Sequence, residues 1–160
     1  AARQSSSSFA SSTRGVFAGG YIEPADSNII DYVTISSTGN ATDFGDLTVP
    51  RMVGGGCSNS TRGVIGGGDP TPGTQTNVID YVTIASTGDA TDFGDLTSAR
   101  RDLDAASSPT RAIFVGGDTP TLVNTIDYVE ILTTGDAVDF GDQTVKRDRL
   151  SACSNGHGGL

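Results

Sequence analysis

Tryptophan is absent from this chain of 160 residues, and lysine, histidine and methionine occur once each, as Lys146, His157 and Met52. Charged residues make up 18% and apolar residues 35%, both low for an ordinary soluble domain. Two cysteines with no CxxC pairing exclude a disulfide scaffold and a thiolate zinc site. No apolar run approaches the length of a membrane span, so no membrane insertion is expected. A net charge of −9, with no basic stripe to neutralise phosphates, disfavours nucleic-acid binding, and no nucleic-acid partner is expected. The same charge implies a soluble, self-repelling surface. The opening AARQSSSSFASS has neither an initiator Met nor an apolar signal-peptide core, and reads as a mature or cut end.

Glycine is abundant instead, at 22 residues, which fits many short strands and turns. Recurring apolar runs argue against disorder. Those runs belong to an internal repeat. IDYVTI at 30–35 returns as IDYVTI at 79–84 and IDYVEI at 126–131, at offsets of 49 and 47. STGNATDFGDLT at 37–48 returns at 86–97 and 133–144, and STRGVFAGG at 12–20 returns at 60–68 and 109–117. The whole chain, 1–160, is therefore one repeat region. It holds units at 3–48, 51–97 and 100–144 and the start of a fourth at 147–160.

Each unit has four short segments: a small polar one, one that runs into Gly-Gly, one rich in β-branched and aromatic residues, and one that follows a Thr-Gly turn. Composition, length and glycine punctuation point to β-strands, with no sustained helical period. In NVIDYVTI, Val78, Val82 and Ile84 fall on one side and Ile79 and Tyr81 on the other. A strand apolar on both sides needs a sheet covered on both faces. Four-stranded sheets stacked face to face around an axis, the blades of a β-propeller, meet that need. The first segment has the smallest side chains and fits the crowded innermost strand.

These residues resemble the kelch repeat: a strand into Gly-Gly, a variable loop, an aromatic strand, a Thr-Gly turn and a final aromatic. The period agrees with the roughly 50 residues of kelch. Phe44, Phe93 and Phe140 stand where kelch repeats usually place Trp. More closely, TRGVxGGG followed by NxIDYVTIASTGxATDFGDLT, and the terminal SACSNGHGGL, resemble repeats of large virion structural and tail-fibre-like proteins of marine bacteriophages, especially those infecting cyanobacteria. The resemblance implies an all-β, kelch-like propeller in a virion, an extracellular particle. It implies a non-enzymatic tail-fibre or surface-appendage component for assembly or host attachment. Expected partners are other copies or further repeats of the same protein, other virion proteins, and a host-surface receptor or glycan. The alternative is a non-viral kelch-like protein-interaction scaffold, intracellular or secreted.

Three blades do not close a ring without exposed faces and edges. The expectations are a segment of a longer chain, an assembly of several copies, or a non-propeller arrangement such as a trimeric β-prism or a stacked solenoid. The first is favoured.

DFGD at 43–46, 92–95 and 139–142 raises a kinase reading. A kinase also needs a phosphate-covering glycine loop, a strand lysine and an HRD-type loop, and none is present. The three copies read as turns in which Phe packs between blades and Gly takes a conformation other residues avoid. Calcium at Asp43, Asp46, Asp92, Asp95, Asp139 and Asp142 is a weaker reading, because the dense DxDxDG spacing is missing. Asp31, Asp80 and Asp127 sit mid-strand in apolar surroundings, and a partly buried carboxylate needs a partner. Two arginine series run in step with them: Arg14, Arg62 and Arg111 on the second strand, and Arg3, Arg51, Arg100 and Arg147 opening the first. An Asp–Arg or Asp–backbone contact repeated in every blade is expected. Cys57 and Cys153 share a repeat position and read as small buried fillers; no third group orients a Cys153–His157 pair. No catalytic residue and no cofactor is expected. The loops after each Gly-Gly diverge and offer Glu23, Asp26, Asp69, Thr71, Gln75, Asp118 and Thr121 as candidate binding positions, since loops on rigid scaffolds often carry binding.

Overall fold

The computed structural model describes residues 2–70 and 73–154. It is all-β among these residues, with three four-stranded antiparallel sheets and one two-stranded ribbon, none closed on itself. The first sheet orders β1 (Ser7–Ala10), β2 (Arg14–Ala18), β5 (Ile29–Thr34) and β6 (Thr42–Asp46). β3 (Tyr21–Ile22) and β4 (Ala25–Asp26) form the ribbon, which is the variable loop of the first unit. The second sheet runs β7 (Gly55–Ser58), β8 (Arg62–Gly66), β9 (Val78–Thr83) and β10 (Thr91–Asp95). The third runs β11 (Asp104–Ser107), β12 (Arg111–Val115), β13 (Thr125–Glu130) and β14 (Val138–Asp142). Each sheet is one repeat unit, folded as a meander in which sequence neighbours pair.

The first strands lie side by side, β7 between β1 and β11. Their small residues allow this. A side chain at Gly56 would meet the Ser8 carbonyl at 2.9 Å. Ser58 Oγ donates to the Ala10 carbonyl at 2.6 Å and Ser107 Oγ to the Ser58 carbonyl at 2.7 Å, stitching the three strands by one serine position.

The core lies between sheets. Phe9, Val16, Ile30, Phe44 and Leu47 of the first unit pack on Ile65, Val82 and Ile84 of the second. Val64, Ile79, Phe93 and Leu96 of the second pack on Phe114, Val129 and Ile131 of the third. The two-sided pattern of NVIDYVTI is realised here: Val82 and Ile84 face the preceding unit, while Ile79 and Tyr81 face the following one. Every unit therefore has a back face and a forward face.

DFG forms a β-bulge, not a turn. Asp43 pairs with Asp31 and Gly45 with Ile30, so Phe44 is the extra residue of its strand. The same shift occurs at Phe93 and Phe140. A bulge twists the strand and re-aims the bulged side chain, here onto the forward face. The glycine has φ of 144°, 142° and 131° in the three copies. The aromatic packing expected of the motif occurs twice. Phe44 and Phe93 are buried by the following unit, whereas Phe140, on the forward face of the third, is 53% exposed.

The fourth unit begins as the others do. Ser5, Val53, Asp102 and Arg149 hold the same repeat position, two residues after the arginine, and all have φ between 48° and 57°. The Arg149 amide donates to the Asp102 carbonyl as that of Asp102 does to Val53 and that of Val53 to Ser5. Residues 155–160, including His157, lie outside the described residues, as does Thr71.

Position along the repeat thus sets the energetic weight of one motif. Phe93→Ala is expected to cost about 3–5 kcal/mol, as for a buried aromatic, and Phe140→Ala under about 1 kcal/mol. Urea unfolding of the two variants checks this; equal midpoints would contradict it.

Candidate functional site

The recurring charges converge at the seams between sheets. Arg51 and Arg100 leave the turn before the first strand and run back under the second and third strands of their own unit. Arg51 pairs with Asp80 at 3.0 Å and Arg100 with Asp127 at 2.8 Å, all four side chains fully or almost fully buried. The Nη2 of Arg51 that meets Asp80 also donates to the Ile65 carbonyl at 3.2 Å, and the second guanidinium nitrogen of Arg100 donates to the Phe114 carbonyl at 3.1 Å. The Nε of each is without an acceptor. Burial pulls the Arg51 guanidinium below its ordinary pKa, and Asp80 opposes that shift.

A third group completes each pair. Thr48 Oγ1 donates to Asp80 at 2.6 Å and its amide at 3.2 Å. Thr97 does the same to Asp127, at 2.7 Å and 3.1 Å. Thr48 belongs to the unit before Asp80, and Thr97 to the unit before Asp127. The carboxylate therefore holds its own unit's arginine and the previous unit's threonine at once. Three donors on each buried carboxylate, one from arginine and two from threonine, offset much of its desolvation.

The expected Asp–Arg contact is present, and its arginine comes from the series that opens the first strand. The other series works differently. Arg14, Arg62 and Arg111 stack on Tyr32, Tyr81 and Tyr128, with the guanidinium carbon 4.4, 4.2 and 4.3 Å from the ring centre. Each tyrosine also meets the bulged phenylalanine edge-on, with ring centres 5.9 Å apart. Arg14 then donates across the seam to the Ile84 carbonyl at 2.6 Å, and Arg62 to that of Ile131 at 2.9 Å. Arg111 meets no carbonyl of a following unit among the described residues and pairs with Glu130 of its own sheet at 2.8 Å.

The first copy of the clasp is open. Asp31 meets Arg3 at 2.9 Å, but its side chain is 34% exposed rather than enclosed in apolar surroundings. No threonine donates to it among the described residues.

Two of the loop positions are not open binding groups. Asp69 is fully buried and accepts from Arg101 at 2.7 Å, and Arg101 also approaches Asp118 at 3.4 Å. The binding expectation fails at Asp69 because an ion pair already holds it. Burial, and then the nearby Asp69, raise the pKa of the Asp26 carboxyl. Gln75 is half-buried, and Glu23 and Thr121 are exposed. Asp43, Asp92, Asp139 and Asp142 are exposed, and Asp46 and Asp95 half-buried. No group of three or more metal-ligating side chains forms among the described residues. Cys57 is a buried filler on β7, as expected, but Cys153 is exposed. The shared position is covered only where a following unit stands against it.

Sequence reading passed over Thr48 and Thr97, although the threonine recurs in every DFGDxT. It also passed over Arg101, which has no counterpart in the repeat. No protein-family model matches this chain, and no curated protein matches it.

Removing one partner of a buried pair leaves an uncompensated charge. Asp127→Ala is expected to destabilise by about 3–5 kcal/mol, and Asp31→Ala, at a partly exposed pair, by no more than about 1 kcal/mol; urea unfolding measures both. Burial pushes the Cys57 thiol up to about 12, so at roughly pH 8 it stays a protonated, inert thiol. Ellman's reagent should titrate Cys153 alone in the native chain and both thiols after unfolding.

Proposed function

We propose that this chain is a non-enzymatic structural module of a bacteriophage particle, a kelch-like propeller segment of a tail fibre or surface appendage. The observation that carries the reading is the use of the repeat frame. The recurring aspartates, arginines, threonines, tyrosines and phenylalanines meet at the seams and join one unit to the next. Side chains placed that way do mechanical work, holding sheets in register. Face-to-face stacking of four-stranded sheets, with β1, β7 and β11 side by side, supports a propeller. The likeness of TRGVxGGG and ATDFGDLT to phage appendage repeats supports the particle. The loops after Gly-Gly, with Glu23 and Thr121 exposed, are the surface offered to a host receptor or glycan.

Mass spectrometry of purified phage particles from the source tests the assignment. Peptides of this chain are expected among the virion proteins, at the copy number of an appendage. Their absence from particles, with the chain present in host cells, would favour the non-viral interaction scaffold instead.

A further inference from the structure

Two carboxylates meet beside the first seam, each with a buried oxygen that no donor reaches. Asp69 is fully buried, and its Oδ2 accepts from the Arg101 guanidinium at 2.7 Å and from the Gly73 amide at 3.2 Å. Its Oδ1 has no partner among the described residues, and neither has the buried Oδ1 of Asp26 on the β3–β4 ribbon. The backbone brings the two together, because successive residues of the link into β7 hold both. The Arg51 amide donates to the carbonyl of Ser27, next to Asp26, at 3.2 Å. Met52 exchanges amide and carbonyl with Asp69, at 3.1 and 2.9 Å.

The other units lack this arrangement. Arg51, Arg100 and Arg147 donate in turn to the carbonyls of Ser27, Thr76 and Val123, so the counterparts of Asp26 are Gln75 and Leu122, both neutral. The place of Met52 is taken in the next unit by Arg101, which binds Asp69 and approaches Asp118. The first seam thus has an extra acid and lacks the cation. Other charges around the ribbon do not make good the loss. Arg51 is held by Asp80 and Arg3 by Asp31. Tyr21 and Glu23 share the ribbon and bring no positive charge. Arg101, with Asp118 beyond it, stands on the other oxygen of Asp69.

We infer that Asp26 and Asp69 form an acid-operated latch: one proton taken up by the pair closes the β3–β4 ribbon onto the second unit, and its loss towards neutral pH loosens the ribbon. Asp69 keeps its charge, since Arg101 and Gly73 hold it. Asp26 takes the proton from solvent, and its hydroxyl is the donor that Asp69 Oδ1 lacks. With both ionised, two like charges with unpartnered oxygens repel where water solvates them poorly. The ribbon is the element that yields, because only two residue pairs hold it. Burial, and then Asp69, hold the Asp26 carboxyl above its ordinary value of 3.8. A carboxyl raised in this way stabilises the folded form fully below the ordinary value and ceases to do so as pH rises through the raised one. The ribbon is therefore tight in acid and loose at neutrality. The latch sets how firmly the first unit presents Glu23, exposed between β3 and β4.

The test is NMR on the full chain, following side-chain carboxyls and amide exchange between about pH 4 and about pH 7.5. Asp26 is expected to titrate above 3.8. The Ser27 amide, which donates to the Gly20 carbonyl, reports on the ribbon. Corrected for its intrinsic rate, it should be protected roughly threefold more at the acid end, the scale of one like-charge contact. Asp26→Asn, neutral throughout, should give equal protection at both ends. Met52→Arg, which supplies the cation that Arg101 supplies in the next unit, should protect the ribbon at neutral pH and bring the Asp26 titration down. Asp26 titrating at or below 3.8, or an acid response of Ser27 that survives in Asp26→Asn, would overturn the latch. So would protection gained at neutral pH on adding calcium alone, because the pair would then hold a metal ion and not a proton.

Discussion

One buried carboxylate per seam organises the stack. Asp80 and Asp127 are each held by an arginine of their own unit and a threonine of the unit before. Apolar faces such as Val16 on Ile65 attract without direction and would tolerate sliding or rotation. A fully buried ion pair does not tolerate it, since any shift leaves a charge without its partners in a medium that cannot solvate it. Such pairs add little net stability over apolar packing. Their contribution here is geometric, because the threonine must arrive from the neighbouring sheet at the depth of the arginine.

The aromatic layer is built on the same plan further out. The bulge in DFG turns the phenylalanine to the forward face, where it meets the tyrosine edge-on, and the arginine covers the other side of that ring. The guanidinium keeps a donor free of the ring and uses it on a carbonyl of the next unit. Tyrosine, phenylalanine and arginine thus form one block that a neighbour closes. Where the neighbour stands, the phenylalanine is buried and the tyrosine and arginine are half-buried. On the third unit it is open, and Arg111 turns to Glu130.

This explains why identical sequence has unequal exposure. Asp31, Asp80 and Asp127 stand in the same IDYV context, yet only the last two are sealed. Cys57 and Cys153, or Phe93 and Phe140, differ for the same reason. A repeat unit cannot bury its own faces, so burial belongs to the seam rather than to the residue.

Much of the fold was legible in the residues. The period, the strands, the two-sided third segment and the crowded first strand follow from alternation, β-branched content and small side chains, which act over a few residues. The need of each mid-strand aspartate for a partner was also legible, because a carboxylate among apolar residues requires one. Which arginine answered was not, since both series keep step with the aspartates and only the path of the chain brings Arg51 rather than Arg62 to Asp80. The bulge in DFG was hidden because a glycine at positive φ serves a turn and a bulge alike. Asp69 was hidden because its partner, Arg101, lies outside the repeat. The sequence by itself determined the unit and the residues every unit must satisfy. The tertiary structure alone decided which copies are satisfied, because that depends on a neighbouring face and not on local chemistry.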